Sequence, residues 1–335
     1  MRTAEREEWV DRVRGICMLA ILLFHTENYY NGVEILPYAL YVDNVLIAFF
    51  FVSGYLFHSG KRPFSFLAKI RSIFRSIILP YFIFTTLIAV PKTFAHSDTT
   101  MMQVIYGILT GHASWFVAAL AVAEILFASM MVLCKQQLNR LAIVSSILFL
   151  LVAMAYHLID NELLEQHNYW CHHNAMLMMP FLVMGYAYRH HTQWQLWFNR
   201  WRTIFFFVYF FAIIKGIVHA EHMTLTMQPI HVSSFFLLIA DGLAGTVLLI
   251  AFCRWMRSSR LIQYVGRHSI IYYFICGGVP FVVTQALTRA GLPYNGKYPL
   301  IILASYLSCS SPQASPTSSS VFHKKCGKLV DNPVD

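Results

Sequence analysis

Residues 11–25 read DRVRGICMLAILLFH. An apolar run opens behind two arginines and closes on a histidine. Arg14 and His25 stand eleven steps apart in it. At about 100° per residue, eleven steps end about 20° past three full turns, so the two side chains share one face of a helix, with a rise of about 16 Å between them. Asp11 lies about 40° away on the same stripe. Charged groups inside an apolar run are expected where membrane helices surround a polar cavity.

The rest of the chain agrees with a bilayer as solvent. Of its 335 residues, 57 % belong to the AVILMFWYC set and only 12 % are charged. A water-soluble domain carries roughly 25 % charge to cover its core. The composition therefore excludes a disordered chain, a secreted disulfide scaffold and a nucleic-acid-binding domain. The seven cysteines form no CxxC pair, so neither a disulfide framework nor a zinc ribbon is readable. MRTAEREEWVDRVRG at the start interleaves acids with arginines and has no signal-peptide pattern, so the first span is expected to be retained.

Apolar runs lie near 13–28, 42–58, 77–95, 114–134, 141–158, 172–188, 203–219, 234–253, 269–287 and 298–308. The expected fold is an all-α integral membrane protein of about ten transmembrane helices. With the N-terminus in the cytoplasm, strict alternation puts 21 of the 25 Lys and Arg on the cytoplasmic side; Lys92, Lys215, Arg289 and Lys297 fall towards the other. The net charge of +9 is thus a topology signal, matching the positive-inside rule, and predicts no nucleic-acid partner. Residues 62–76, RPFSFLAKIRSIFRS, mix basic and apolar side chains and are expected to lie along the cytoplasmic membrane surface before span three.

The tenth run is odd. YPLIILASYL gives way to SCSSPQASPTSSS, leaving about ten apolar residues, too few to cross ~30 Å of hydrocarbon. The tenth span is therefore read as truncated. The expected organisation is a membrane domain over 1–308 and a Ser/Pro-rich tail over 309–335, either a disordered tail or, as the preferred reading, the product of a frameshift near Leu307.

Other polar groups inside runs have structural readings beside functional ones. Glu124 in span four serves either as a helix–helix hydrogen-bond partner or as an orienter of His25 or an arginine. Asp241 in span eight pairs with Lys215 or binds an acceptor. Ser53 and Gly54 read as close-packing small residues more readily than as a nucleophile and an oxyanion donor. Tyr272 and Tyr273 read as bundle aromatics. His167, Cys171, His172 and His173 offer zinc-type ligands at a spacing that fits no standard site, so no metal is expected. His190 and His191 beside Arg189 read as a basic cytoplasmic loop.

Five elements in order carry a family resemblance. They are DRVRGICMLAILLFH (11–25), FFFVSGYLF (49–57), RSIILPYFIF (75–84), SWFVAALAVAEILF (114–127) and VGRHSIIYYF (265–274). Together they resemble the acyltransferase-3 family of membrane O-acyltransferases, whose first span carries Arg-x10-His. The nearest flavour is that of sugar O-acetylases similar to fucose 4-O-acetylases. Two departures stand out. Many members place Asp directly before the Phe-Phe of span two, where this chain has Leu46-Ile47-Ala48 and the nearest acid is Asp43. Many also carry a His after the late Tyr, where Cys276 and Gly277 stand here.

The resemblance implies a multi-pass protein of the cell (inner) membrane, N-terminus cytoplasmic, that moves an acetyl group from acetyl-CoA to a hydroxyl of a cell-surface saccharide. It implies no permanently bound cofactor; acetyl-CoA is a substrate, and the acceptor is a saccharide or lipid-linked saccharide. His25 is the implied general base, since imidazole titrates near the working pH. Arg14 and Glu124 complete the implied catalytic set, and Arg14, Lys69, Arg71 and Arg75 supply cations for the donor phosphates. Direct transfer and an acyl-His25 intermediate both stay open. The competing reading is a non-enzymatic transporter or flippase of lipid-linked sugars, which would show inverted repeats with broken helices; no such symmetry is visible in the sequence.

Overall fold

The computed structural model describes residues 7–31, 38–58, 63–95, 100–276 and 279–292. The run at 298–308, the tail at 309–335 and Lys61 and Arg62 lie outside these residues. The helices are α1 (Glu8–Asn31), α2 (Tyr38–Phe57), α3 (Phe66–Ile73), α4 (Leu79–Ala95), α5 (Met101–Leu109), α6 (Trp115–Leu133), α7 (Leu138–Leu158), α8 (Asn161–Gln166), α9 (His172–His190), α10 (Thr192–Phe198), α11 (Trp201–Ala220), α12 (Phe235–Trp255), α13 (Arg260–Arg267), α14 (Ser269–Ile275) and α15 (Val279–Arg289). Between α11 and α12 lies a two-stranded antiparallel hairpin, β1 (Leu225–Met227) and β2 (Ile230–Val232). The hairpin is the one departure, among the described residues, from the all-helical expectation.

Long apolar segments become helices because hydrocarbon offers a backbone no other hydrogen-bond partners. Where segments leave that environment, side chains take over. Thr100 and Gln103 form a reciprocal capping box at the start of α5, and Ser234 accepts from the Leu237 amide at the start of α12. Among the described residues six helical segments are long and apolar enough to cross a membrane: Leu40–Phe57, Phe66–Ala89, His112–Leu133, Leu138–Leu158, Trp201–Ala220 and Phe235–Trp255. The expected runs at 13–28 and 172–188 are helical as α1 and α9, but α1 carries Glu8, Asp11, Arg12, Arg14 and Glu27, and α9 opens on His172, His173 and Asn174. The expected run at 269–287 is covered by two short helices, α14 and α15.

Residues 66–95 form one continuous helical run: α3 passes through a π-helical turn, Phe74–Ile78, into α4. The Phe74 amide donates to the Ile70 carbonyl, four residues back, and the Leu79 amide donates to the Phe74 carbonyl, five residues back.

Two compact units divide the chain: Met1–Met18 with Leu36–Ser269, and Leu19–Ile35 with Ile270–Asp335. In the larger unit, α2 and α9 form the most extensive helix pair. Their backbones meet through two glycines used reciprocally. A Cβ on Gly54 would fall on the Leu182 carbonyl, and one on Gly185 would fall on that of Phe51. Small residues that let backbones approach are the usual means of holding helices together in lipid, where apolar burial alone gives no preference. Around them pack Phe50, Phe51, Phe127, Phe181 and Leu182, all essentially buried. α7 and α11 instead present Ile143, Ile147, Leu150, Leu151, Phe205, Phe206 and Tyr209 outward, an apolar surface suited to lipid.

The hairpin is tied to α9 by a chain of amides. Asn174 Nδ2 donates to the Met227 carbonyl, and Asn168 Nδ2 donates to Asn174 Oδ1 at 2.9 Å. In the smaller unit, Tyr272, Thr284, Leu22, Thr26 and Glu27 are buried, and the Thr26 hydroxyl folds back onto the Leu22 carbonyl at 2.7 Å.

Candidate active site

The first half of α1 meets α13 along a second close seam. A Cβ on Gly15 would fall on the Ile262 carbonyl, and one on Gly266 would fall on that of Asp11. Close approach brings the polar side chains of both strips together. Arg267 Nε donates to Asp11 Oδ2 at 3.1 Å, and Gln263 Nε2 to Glu8 Oε2 at 3.1 Å. Arg14 Nη2 donates to the Ser269 hydroxyl at 2.7 Å. Ser269 opens α14 and is buried, so it orients the guanidinium from a fixed point. Two stretches 255 residues apart in sequence thus close on one another, and the short Gly266–Arg267–His268–Ser269 turn supplies the reason: a glycine for contact, then a cation and a hydroxyl for α1.

A second polar cluster joins three helices. Glu124, midway along α6, accepts from the Ser53 hydroxyl of α2 and is ion-paired with Lys69 Nζ of α3 at 3.0 Å. Lys69 also lies over the Phe57 ring, 3.9 Å from its centroid, where the quadrupole favours a cation. Among the described residues the partners of Glu124 are thus Ser53 and Lys69, contacts of the helix–helix kind that the sequence offered it. Lys69 has its charge balanced by that carboxylate. Arg71 and Arg75, on α3 and the π turn, are exposed.

His25 lies in the Leu19–Ile35 part of α1, half-buried, with its ring edge-on to Phe24. Glu27, two residues on, is fully buried. It stands in the same apolar run as His25, so its presence was visible in the sequence.

Helix ends rich in basic residues gather in the larger unit. Glu7 accepts from Trp9 Nε1 at 2.7 Å and from the Tyr55 hydroxyl, and Arg189 approaches it at 3.9 Å. The Arg254 guanidinium lies over the rings of Trp9 and Tyr188, at 4.9 and 5.4 Å. His190 Nε2 bonds to the His58 carbonyl at 3.2 Å. Desolvation first, and then the nearby His190, Arg189 and Lys69, push the His58 imidazole below its ordinary value of 6.5. The start of α1, the ends of α2, α9 and α12, and α3 thus share this basic region. The positive-inside count assigned all of them to one side.

A third cluster lies elsewhere in the same unit. Lys215 Nζ of α11 meets Asp241 Oδ2 of α12 at 2.8 Å, the pairing offered by the sequence, and Asn44 Nδ2 of α2 donates to the same oxygen at 2.8 Å. Nothing in the sequence pointed to Asn44. In the histidine-rich stretch that runs into α9, His167 and His172 bond to the carbonyls of Leu163 and Tyr169, and His173 to the Tyr156 hydroxyl. Gly54 packs, as expected for a small residue in a span, and Ser53 has turned its hydroxyl to an acid. Tyr272 is a buried bundle aromatic.

A family model described as an acyltransferase domain matches residues 7–311. Neither a curated protein nor a solved structure matches the chain.

Proposed function

The chain belongs to the acyltransferase-3 family, and from that membership we propose that it is a ten-span O-acyltransferase of the inner membrane, N-terminus cytoplasmic, moving acetyl from acetyl-CoA to a hydroxyl of a cell-surface saccharide. The observation that carries the reading is the hydrogen bond from Arg14 to Ser269. It joins the first and last of the family-like sequence elements and holds a cation at a fixed place just before the apolar stretch of α1. Drawing a guanidinium even partly out of water is costly unless something needs it. Acetyl-CoA, with several phosphate charges and a thioester carbonyl, is a donor that does.

In this reading His25 takes the proton from the acceptor hydroxyl, and the oxygen attacks the thioester carbon. The carbon–sulfur bond breaks, and the departing thiolate takes the proton back from His25, leaving free CoA and an acetyl ester. Arg14 balances negative charge on the donor. Arg71 and Arg75, both exposed, serve the phosphates better than Lys69 does, because Lys69 is engaged by Glu124. Glu124 then acts through Lys69 and Ser53, holding α2, α3 and α6 together behind the donor.

Membranes carrying the protein should transfer label from acetyl-CoA to surface polysaccharide. His25→Ala should abolish that transfer at unchanged membrane abundance. Retained transfer in this variant would overturn the assignment of the base.

A further inference from the structure

The Asn44–Asp241–Lys215 cluster has a chemistry that its own hydrogen bonds do not use up. Asp241 is fully buried and Asn44 is 7 % exposed. Asn44 Nδ2 donates to both the carbonyl and the Oδ2 of Asp241, at 3.1 and 2.8 Å, which fixes the amide orientation, since the flipped amide would face two oxygens with a third. A Cβ on Gly245, one turn beyond Asp241, would strike the Asn44 amide, so α12 is shaped to receive it. Two acceptors remain, Asn44 Oδ1 and Asp241 Oδ1, buried and with no hydrogen-bond partner among the described residues. Each shares a carbon with an atom of the Asn44–Asp241 bond, so the two belong to one cluster.

Leaving buried acceptors unmet costs free energy, and both here are acceptors. Whatever meets them must donate. An anion is excluded by that sign, and a metal cation is disfavoured because Lys215 already balances the Asp241 charge. A neutral molecule with neighbouring hydroxyls fits both conditions. Position adds a second argument. Asn44 is the seventh residue of α2, Asp241 the seventh of α12 and Lys215 the sixth from the end of α11. All three therefore sit about 7–9 Å inside their helix ends, at similar depth. In the ten-span topology those three ends face outward.

We propose that Asn44, Asp241 and Lys215 form the subsite for a neutral polyhydroxyl acceptor, a saccharide whose hydroxyls donate to Asn44 Oδ1 and Asp241 Oδ1. The proposal rests on the acyltransferase reading above. The test uses the full chain in lipid nanodiscs, with methyl hexosides and methyl 6-deoxyhexosides as probes, their per-O-methylated derivatives as ring-matched controls without donors, and CoA as a separate ligand. At least one free glycoside should raise the melting temperature, its methylated counterpart should not, and Asn44→Leu should weaken the glycoside by about tenfold or more. The CoA-induced shift should persist in that variant, which reports that it is folded; Asn44→Ser serves if the leucine variant is not produced. If CoA shifts the protein and no glycoside does, or if the glycoside shift survives both substitutions, the subsite is refuted and the acyltransferase reading stands. Should CoA fail to shift the wild type, the acyltransferase reading falls and the subsite with it.

Discussion

Two helix pairs in the larger unit reach backbone contact by the same device, and they use it for opposite purposes. α2 and α9 place Gly54 and Gly185 against each other's carbonyls, and the flanks are Phe51, Phe181 and Leu182. α1 and α13 place Gly15 and Gly266 against each other's carbonyls, and the flanks are Glu8, Asp11, Arg14, Gln263 and Arg267. The first seam is a core. The second is a clamp that holds acids, arginines and an amide against one another. Packing geometry is therefore separable from what it serves, and the chemistry of the flanks decides which.

Substitutions can break that distinction or sharpen it. The largest effect is expected for Gly54→Leu, which drives a side chain into backbone at the centre of the apolar seam; overpacking of that kind costs about 3 kcal/mol or more, and most of the protein should vanish from membranes by immunoblot. Gly266→Leu does the same to the polar seam. It should leave abundance largely intact, because α13 is short and peripheral to the α2–α9 core, yet transfer should fall by about 100-fold, the usual result of shifting a positioned group by an ångström. Equal losses of abundance in the two variants would erase the distinction. Ser269→Ala removes one hydrogen bond to a charged group, worth about 1.5–3 kcal/mol, and transfer should drop by roughly 10- to 100-fold with Ser269→Thr restoring part of it. The smallest effect concerns His58 in the basic region. Its folded-state value is depressed, so the unfolded chain binds the proton more readily; the stability it contributes is present above about pH 6.5 and is lost as pH falls through that value. His58→Gln should flatten the acid limb of a melting-temperature profile, while substitutions within the α2–α9 seam should leave its shape alone.

The sequence made the helices legible because hydrocarbon enforces them: the expected runs at 141–158, 203–219 and 234–253 lie within a few residues of α7, α11 and α12. It also offered Lys215 as one partner for Asp241, and the two do pair. What it missed has a common cause. The Lys69–Glu124 pair, the Ser269 support for Arg14 and the Asn44 amide all depend on which helices are neighbours, and apolar periodicity in a membrane says little about that. Small residues say more, but Gly266 and Gly185 have no feature that names the carbonyl they will touch. The hairpin escaped because its strands, Leu225–Met227 and Ile230–Val232, are too short to show an alternation.

The π turn at Phe74–Ile78 has a consequence for how this protein can change over generations. Such a turn holds one residue more than an ordinary helical turn. Losing a single codon there would restore regular pitch without opening the backbone ladder, and would rotate everything before it by about 100°. Glu124 would then greet a different neighbour in place of Lys69. The turn is a ratchet: one small deletion could re-dial the direction in which Lys69 and Arg71 point while the helix that follows stays as it was.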